Sequence, residues 1–230
     1  MNTATALAAN PLWYATRAGG TVALLLLTAT VVLGIAVGGK GAPRRIGRFE
    51  VGLLHRNLAV LTLAFLALHI ATAVLDPFVH LDWAAAVAPF GASYRPLWLG
   101  LGTVAFDLLL AVLATSALRL RLGRGRWKAV HWLAYAAWPL ALFHAAGTGS
   151  DTRLPLQLWL YAGCLATVVV AVWWRLYRAG PGRTVPRLTA ALAAAVVPVL
   201  VAAFLATGPL QPGWSHRAAA LSLTALGGIR

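Results

Sequence analysis

Six apolar runs, each long enough to reach across a bilayer, leave this chain few ways to fold. They read Leu12–Val37, Gly52–Leu75, Leu97–Leu118, Val130–Ala146, Leu156–Trp174 and Leu188–Thr207. A helical span needs about 20 predominantly apolar residues. Inside hydrocarbon only helices and closed barrels satisfy their own backbone hydrogen bonds. Continuous runs of this length, without two-residue alternation, predict helices. The expected fold class is therefore all-α: a polytopic bundle of six transmembrane helices. Composition agrees, with 60% hydrophobic residues, 10% charged residues and a mean hydropathy of +0.78. Such values exclude an ordinary soluble globule. The fourth run is the shortest, and Trp127 with its neighbours extends one end of it.

The net charge of +14 would point to nucleic acid in a soluble domain. Here the cations sit in short connections between apolar runs, and membrane topology explains them without a nucleic-acid partner. Lys40, Arg44, Arg45, Arg48 and Arg56 cluster around the first connection. Arg119, Arg121, Arg124, Arg126 and Lys128 fill the third, and Arg175, Arg178, Arg183 and Arg187 the fifth. Fourteen of the 19 cations thus share one side, while Asp76, Asp82 and Asp151 lie on the other. The positive-inside rule makes the cationic side cytoplasmic and puts both termini outside. The expected location is the cell membrane, with multiple passes. No basic segment opens the chain, so no cleaved signal peptide is expected. Tryptophans 13, 83, 98, 127, 159, 173 and 174 fall near span ends, where interfacial belts belong. Cys164 is the single cysteine and lies in an apolar run. One thiol supports neither an internal disulfide nor a thiolate metal cluster.

Ionisable residues at membrane depth are rare and usually functional, which singles out four histidines. His55 and His69 are 14 residues apart in the second run; His131 and His144 are 13 apart in the fourth. At about 1.5 Å per residue each pair spans roughly 20 Å along its helix. Both runs start on the cytoplasmic side, so the helices are parallel. His55 and His131 then share the inner half of the membrane, and His69 and His144 the outer half. Two imidazoles from facing helices suit the two axial positions of a porphyrin iron, and the arrangement occurs twice. The expected cofactors are two b-type haems with six-coordinate iron, suited to electron transfer. Fourteen residues return a helix to nearly the same face; thirteen leave an offset of about 140°. Pro139, between His131 and His144, is expected to kink the helix and re-aim the second imidazole. Isolated packed polar residues and zinc are the alternatives, but structural zinc gathers four ligands around one ion.

Other candidates surround the outer pair. Arg17, near the outer end of the first span, is placed to meet haem propionates or to snorkel. Gly147, Thr148, Gly149, Ser150 and Asp151 follow His144 directly and offer small side chains, backbone N–H groups and hydroxyls as a propionate cradle. Asp107, near the middle of the third span, requires a partner or a proton. His80 and His216 lie outside the spans, where a loop histidine is usually solvated. Asp76–Pro96, the longest connection, is expected to lie along the outer surface.

With H-x13-H in one run and H-x12-H in another, residues 12–178 resemble the ferric reductase-like transmembrane domain. That family includes the membrane part of NADPH oxidases and ferric reductases, and the haem subunit of bacterial periplasmic methionine sulfoxide reductase. YRPLWLGLGTVAFDLLLAV and WKAVHWLAYAAWPLALFHAAGTGSD are similar to small actinobacterial members. The resemblance implies the same ligand pairs, His55 with His131 and His69 with His144. It divides the chain into a tail (1–11), a dihaem core (12–178), and a sixth helix with its tail (179–230). Full-length reductases append flavin and nicotinamide domains. This sequence has no G-x-G-x-x-G after a strand and no H-P-F flavin signature, so no flavin is expected within it. Oxygen-reducing members carry a further histidine one turn beyond the outer ligand, where this chain has Ala73.

The function these readings imply is transmembrane electron transfer, as an oxidoreductase component. The expected donor is a cytoplasmic flavoprotein or a membrane quinol. The expected acceptor is ferric iron or an extracytoplasmic redox protein. The alternatives are a histidine-based metal transporter and a haem-containing anchor for a separate reductase.

Overall fold

A computed structural model describes residues 11–37, 47–77, 81–92, 94–149, 151–178 and 184–214. The apolar runs are helical: α1 (Pro11–Val37), α2 (Arg48–Leu75), α3 (Pro96–Ala117), α5 (Leu133–Thr148), α6 (Pro155–Arg178) and α7 (Thr184–Thr207), with α4 (Arg119–His131) preceding α5. A 3-10 turn occupies Trp83–Ala86 in the connection after α2. No strand occurs among the described residues. The protein is a multi-pass, all-helical membrane protein. Five helices, α1, α2, α3, α6 and α7, are long and apolar enough to cross.

The fourth expected span differs from its reading. α5 has 16 residues, a rise of about 24 Å against a hydrocarbon core of about 30 Å. The rest of Val130–Ala146 belongs to the end of α4, joined through Trp132 at φ −65°, ψ −20°. RLRLGRGRWK, expected as a connection, forms most of α4. Its arginines, leucines and lysine are good helix formers and it contains no proline. Only Gly123, at φ 76°, ψ 160°, departs from helical geometry. The cations of α4 stay exposed.

Pro139 sits inside α5, and the helix continues through it. The interruption lies earlier, at Trp132, immediately after His131. There the Tyr135 N–H donates to the Trp132 carbonyl at 3.0 Å, the i→i+3 bond of a tight first turn.

Two antiparallel helix pairs carry the packing: α1 on α2, and α3 on α5. α1 also packs against α5 and α6, and α6 against α7. α2 makes no comparably extensive contact with α3 or α5, which leaves a cleft between the pairs. The core combines Leu24, Leu27 and Val31 of α1, Trp138 and Leu142 of α5, and Tyr161 and Cys164 of α6. In lipid such a seam is held by close packing and interhelical hydrogen bonds rather than by expulsion of water. Trp138 Nε1 donates to Thr28 Oγ1 at 2.9 Å inside it. Trp138→Phe removes that bond and is expected to cost about 1 kcal/mol, lowering the thermal midpoint by roughly 2–4 °C in a scan of purified protein.

Arginines complete the helix ends, whose last carbonyls lack intrahelical partners. Arg175 Nη1 donates to Ile35 O near the end of α1 at 2.7 Å. Arg187 Nη2 reaches Leu176 O of α6 at 3.2 Å. Arg95, buried at 5% exposure, directs Nη1 to the carbonyls of Gly147 and Thr148 at 3.1 Å each. It thereby ties the start of α3 to the end of α5.

Candidate functional site

The four histidines meet as two pairs across the cleft. His55 of α2 faces His131 with ring centroids 6.2 Å apart and planes at 60°. One level along, His69 of α2 faces His144 of α5 at 6.1 Å and 81°. Parallel α2 and α4–α5 produce this register. α1 and α3 run the opposite way behind them and supply the supports.

Three imidazoles are held by one repeated device. His69 Nδ1 lies 2.7 Å from the Thr16 carbonyl, His55 Nδ1 3.0 Å from that of Thr30, and His144 Nδ1 2.8 Å from that of Trp98. A carbonyl only accepts, so each Nδ1 carries the proton and each Nε2 keeps a lone pair for a metal. Four residues beyond each carbonyl stands a glycine. A Cβ on Gly20 would lie 2.8 Å from His69 Nδ1, on Gly34 3.4 Å from His55 Cε1, and on Gly102 2.6 Å from His144 Cε1. The missing side chain uncovers the carbonyl of the preceding turn for the ring. Sequence reasoning passed over these glycines and carbonyls. A signal was present: Thr16 and Thr30, and Gly20 and Gly34, are 14 residues apart, the spacing of His55 and His69.

The cleft around His69 and His144 is lined from α1, α2, α3, α5 and α6. Leu24, Leu66, Phe106 and Leu109 make its walls largely apolar. Arg17, Thr148 and Asp151 line it too, so three of the outer candidates converge. Arg17 Nη2 pairs with Asp151 Oδ1 at 3.0 Å. The Thr148 hydroxyl donates to the His144 carbonyl at 2.6 Å. Gly147 does not line the cleft: a Cβ there would strike the Trp98 ring at 2.5 Å. Its carbonyl serves Arg95 instead. Asp107 is half-buried on α3 and is absent from the cleft lining. The turn after Asp82 covers one end, where Thr103 Oγ1 donates to Ala85 O at 2.9 Å. His80, His216 and Ser150 lie outside the described residues.

This donor set fits a bis-imidazole metal centre. Two metal–nitrogen bonds of about 2 Å, plus about 1.2 Å from each nitrogen to its ring centre, total roughly 6.4 Å. Both observed separations are close to that. Among the described residues no three His, Cys, Asp or Glu side chains converge as a metal cluster, so a metal held by either pair would have to bring its remaining ligands with it, as in a haem.

Residues 19–142 match the model of the ferric reductase like transmembrane component, an interval that contains His55, His69 and His131. The chain belongs to the ferric reductase-like transmembrane family. Its similarity to that family extends to the protein-methionine-sulfoxide reductase heme-binding subunit MsrQ of Bordetella pertussis, at 32% identity over 184 residues, covering 74% of this chain and 79% of the relative. The corresponding subunits of Bordetella parapertussis and Bordetella bronchiseptica match to the same extent. No solved structure matches the chain.

Proposed function

We propose that this family member carries electrons across the membrane through two b-type haems, with His55 and His131 holding the inner and His69 and His144 the outer. The observation that carries this reading is the doubled imidazole pair at 6.1 and 6.2 Å. Each haem would supply a one-electron iron couple in six-coordinate form, suited to transfer rather than ligand activation. The residues do the rest. The Thr16, Thr30 and Trp98 carbonyls fix three rings and raise their basicity as ligands. The apolar walls exclude water and disfavour added charge. Arg17 supplies a positive charge beside the outer pair, partly neutralised by Asp151.

The cation asymmetry supports a His55–His131 level on the cytoplasmic side and both termini on the opposite side. A cytoplasmic flavoprotein or a membrane quinol is the donor in this reading. The similarity to heme-binding subunits of a methionine-sulfoxide reductase favours an extracytoplasmic redox protein over ferric iron as acceptor. The chain itself then needs no flavin.

Haem extraction and reduced-minus-oxidised spectra test the assignment. Purified protein is expected to carry two low-spin haems per chain. His69→Ala or His144→Ala removes the outer signal alone, and His55→Ala the inner one. Full haem content in all these variants would end the reading. Asp151→Asn removes a negative charge beside the outer pair, and with it the ion pair to Arg17. The outer midpoint potential is therefore expected to rise by tens of millivolts in a redox titration, with the inner one unmoved.

A further inference from the structure

His131 is the exception to the device that holds the other rings. Its Nδ1 is buried and has no hydrogen-bond partner. No described glycine packs against its ring. Its neighbour is the Trp127 ring, 5.1 Å away and tilted by 30°, a surface without an acceptor.

The register of α3 shows what is missing. α3 runs antiparallel to α4–α5, and His131 precedes His144 by 13 residues. The support for His144 is the Trp98 carbonyl with Gly102. The same support moved 13 residues along α3 would be the Ala111 carbonyl with a glycine at 115. Position 115 is a threonine, and Thr115 Oγ1 donates to the Ala111 carbonyl at 2.7 Å and the Val112 carbonyl at 3.2 Å. The next residue, Ser116, accepts a bond from Trp127 Nε1 at 3.3 Å. The fourth carbonyl is covered and already satisfied.

This has a chemical consequence. Coordination through Nε2 places the ring proton on Nδ1. For His55, His69 and His144 that proton sits in a hydrogen bond. For His131 it becomes a buried donor without an acceptor, and the ligand lacks the partner that fixes orientation and raises basicity. Letting go of the metal allows the proton to move to Nε2 and relieves the mismatch.

Resting on the two-haem reading above, we infer that His131 is the exchangeable ligand of the four: in the reduced protein it gives way to a small neutral π-acceptor such as carbon monoxide, while the other three hold. One iron–nitrogen bond breaks, one iron–carbon bond forms, and no electron is transferred.

The test adds carbon monoxide to the dithionite-reduced full chain in detergent. Spectra taken beforehand establish whether two low-spin haems are present; if they are not, the proposed function itself fails. With both present, carbon monoxide is expected to bind one haem per chain. Binding to neither, or equally to both, overturns the inference and leaves the two-haem reading intact. His131→Ala locates the site whether or not the inner haem is retained. The bis-imidazole haem that remains is expected to bind no carbon monoxide, and binding there overturns the assignment. Where the inner haem is retained, its carbon monoxide affinity is expected to rise at least about tenfold, the scale on which ligand-supporting contacts act. An unchanged affinity counts against His131.

Discussion

With two haems held as proposed, Gly102→Ala is expected to empty the outer site and leave the inner one filled. The added Cβ would stand 2.6 Å from His144 Cε1 and closer still to Nδ1. The ring has no free direction: its Nδ1 is bound to the Trp98 carbonyl at 2.8 Å, and its opposite edge faces His69. Overpacking of this kind costs about 1–3 kcal/mol. Its functional effect is larger, because a ligand site tolerates displacement of only about 0.5 Å. Haem content is expected to fall from two to near one per chain, with the loss confined to the outer signal. The other glycines give a graded series. Gly20→Ala, whose Cβ would meet His69 Nδ1 at 2.8 Å, is expected to be intermediate. Gly34→Ala, at 3.4 Å from His55 Cε1, is expected to be mild. Gly52→Ala meets nothing within 4 Å and is the control. If Gly102→Ala retains two haems with unshifted spectra, the glycines are not the supports described above.

The second large effect is expected at Arg95. Its guanidinium closes two carbonyls at the end of α5, one turn beyond His144. Arg95→Ala removes two charge-assisted bonds, each worth about 1.5–3 kcal/mol, and leaves Gly147 O only the longer bond from Trp214 Nε1 at 3.4 Å. The end of α5 should fray and loosen His144. At roughly 2–4 °C per kcal/mol for a chain of this size, the thermal midpoint is expected to fall by about 5–10 °C. The outer haem should dissociate faster than the inner. Arg153 also donates to backbone, to Pro209 O at 3.0 Å and to Gln211 O, but part of its contact is exposed. Arg153→Ala is expected to cost less. A reversed ranking would mean that burial does not set the worth of these caps.

The helices and the pairing of the histidines were legible because each follows from a one-dimensional property. Apolar run length predicts a span, and nearly equal spacing on parallel helices brings His55 to His131 and His69 to His144. What escaped depends on neighbouring chains. Arg95 reads as one more loop cation until α5 is seen to end beneath it. Gly147 reads as part of an anion cradle, yet its missing side chain makes room for Trp98. Pro139 lies inside α5 without ending it, and the boundary between α4 and α5 falls at Trp132, a residue with no such signature. The charged stretch before His131 looked like a loop because cations avoid hydrocarbon, although its arginines, leucines and lysine favour a helix at a membrane surface and only Gly123 departs from one.

The cleft between the two helix pairs bears on how the molecule is assembled. α2 has its main partner in α1, and α3 in α5, so each pair can form as a hairpin-like unit before the two are fully joined. The seam from α1 to α5 aligns them, but the facing walls of α2 and α3 have little protein to close upon. Whatever fills that space acts as mortar as well as cargo. Loading and maturation then become one equilibrium, in which supply of the prosthetic group raises the fraction of chains that resist proteolysis in the bilayer.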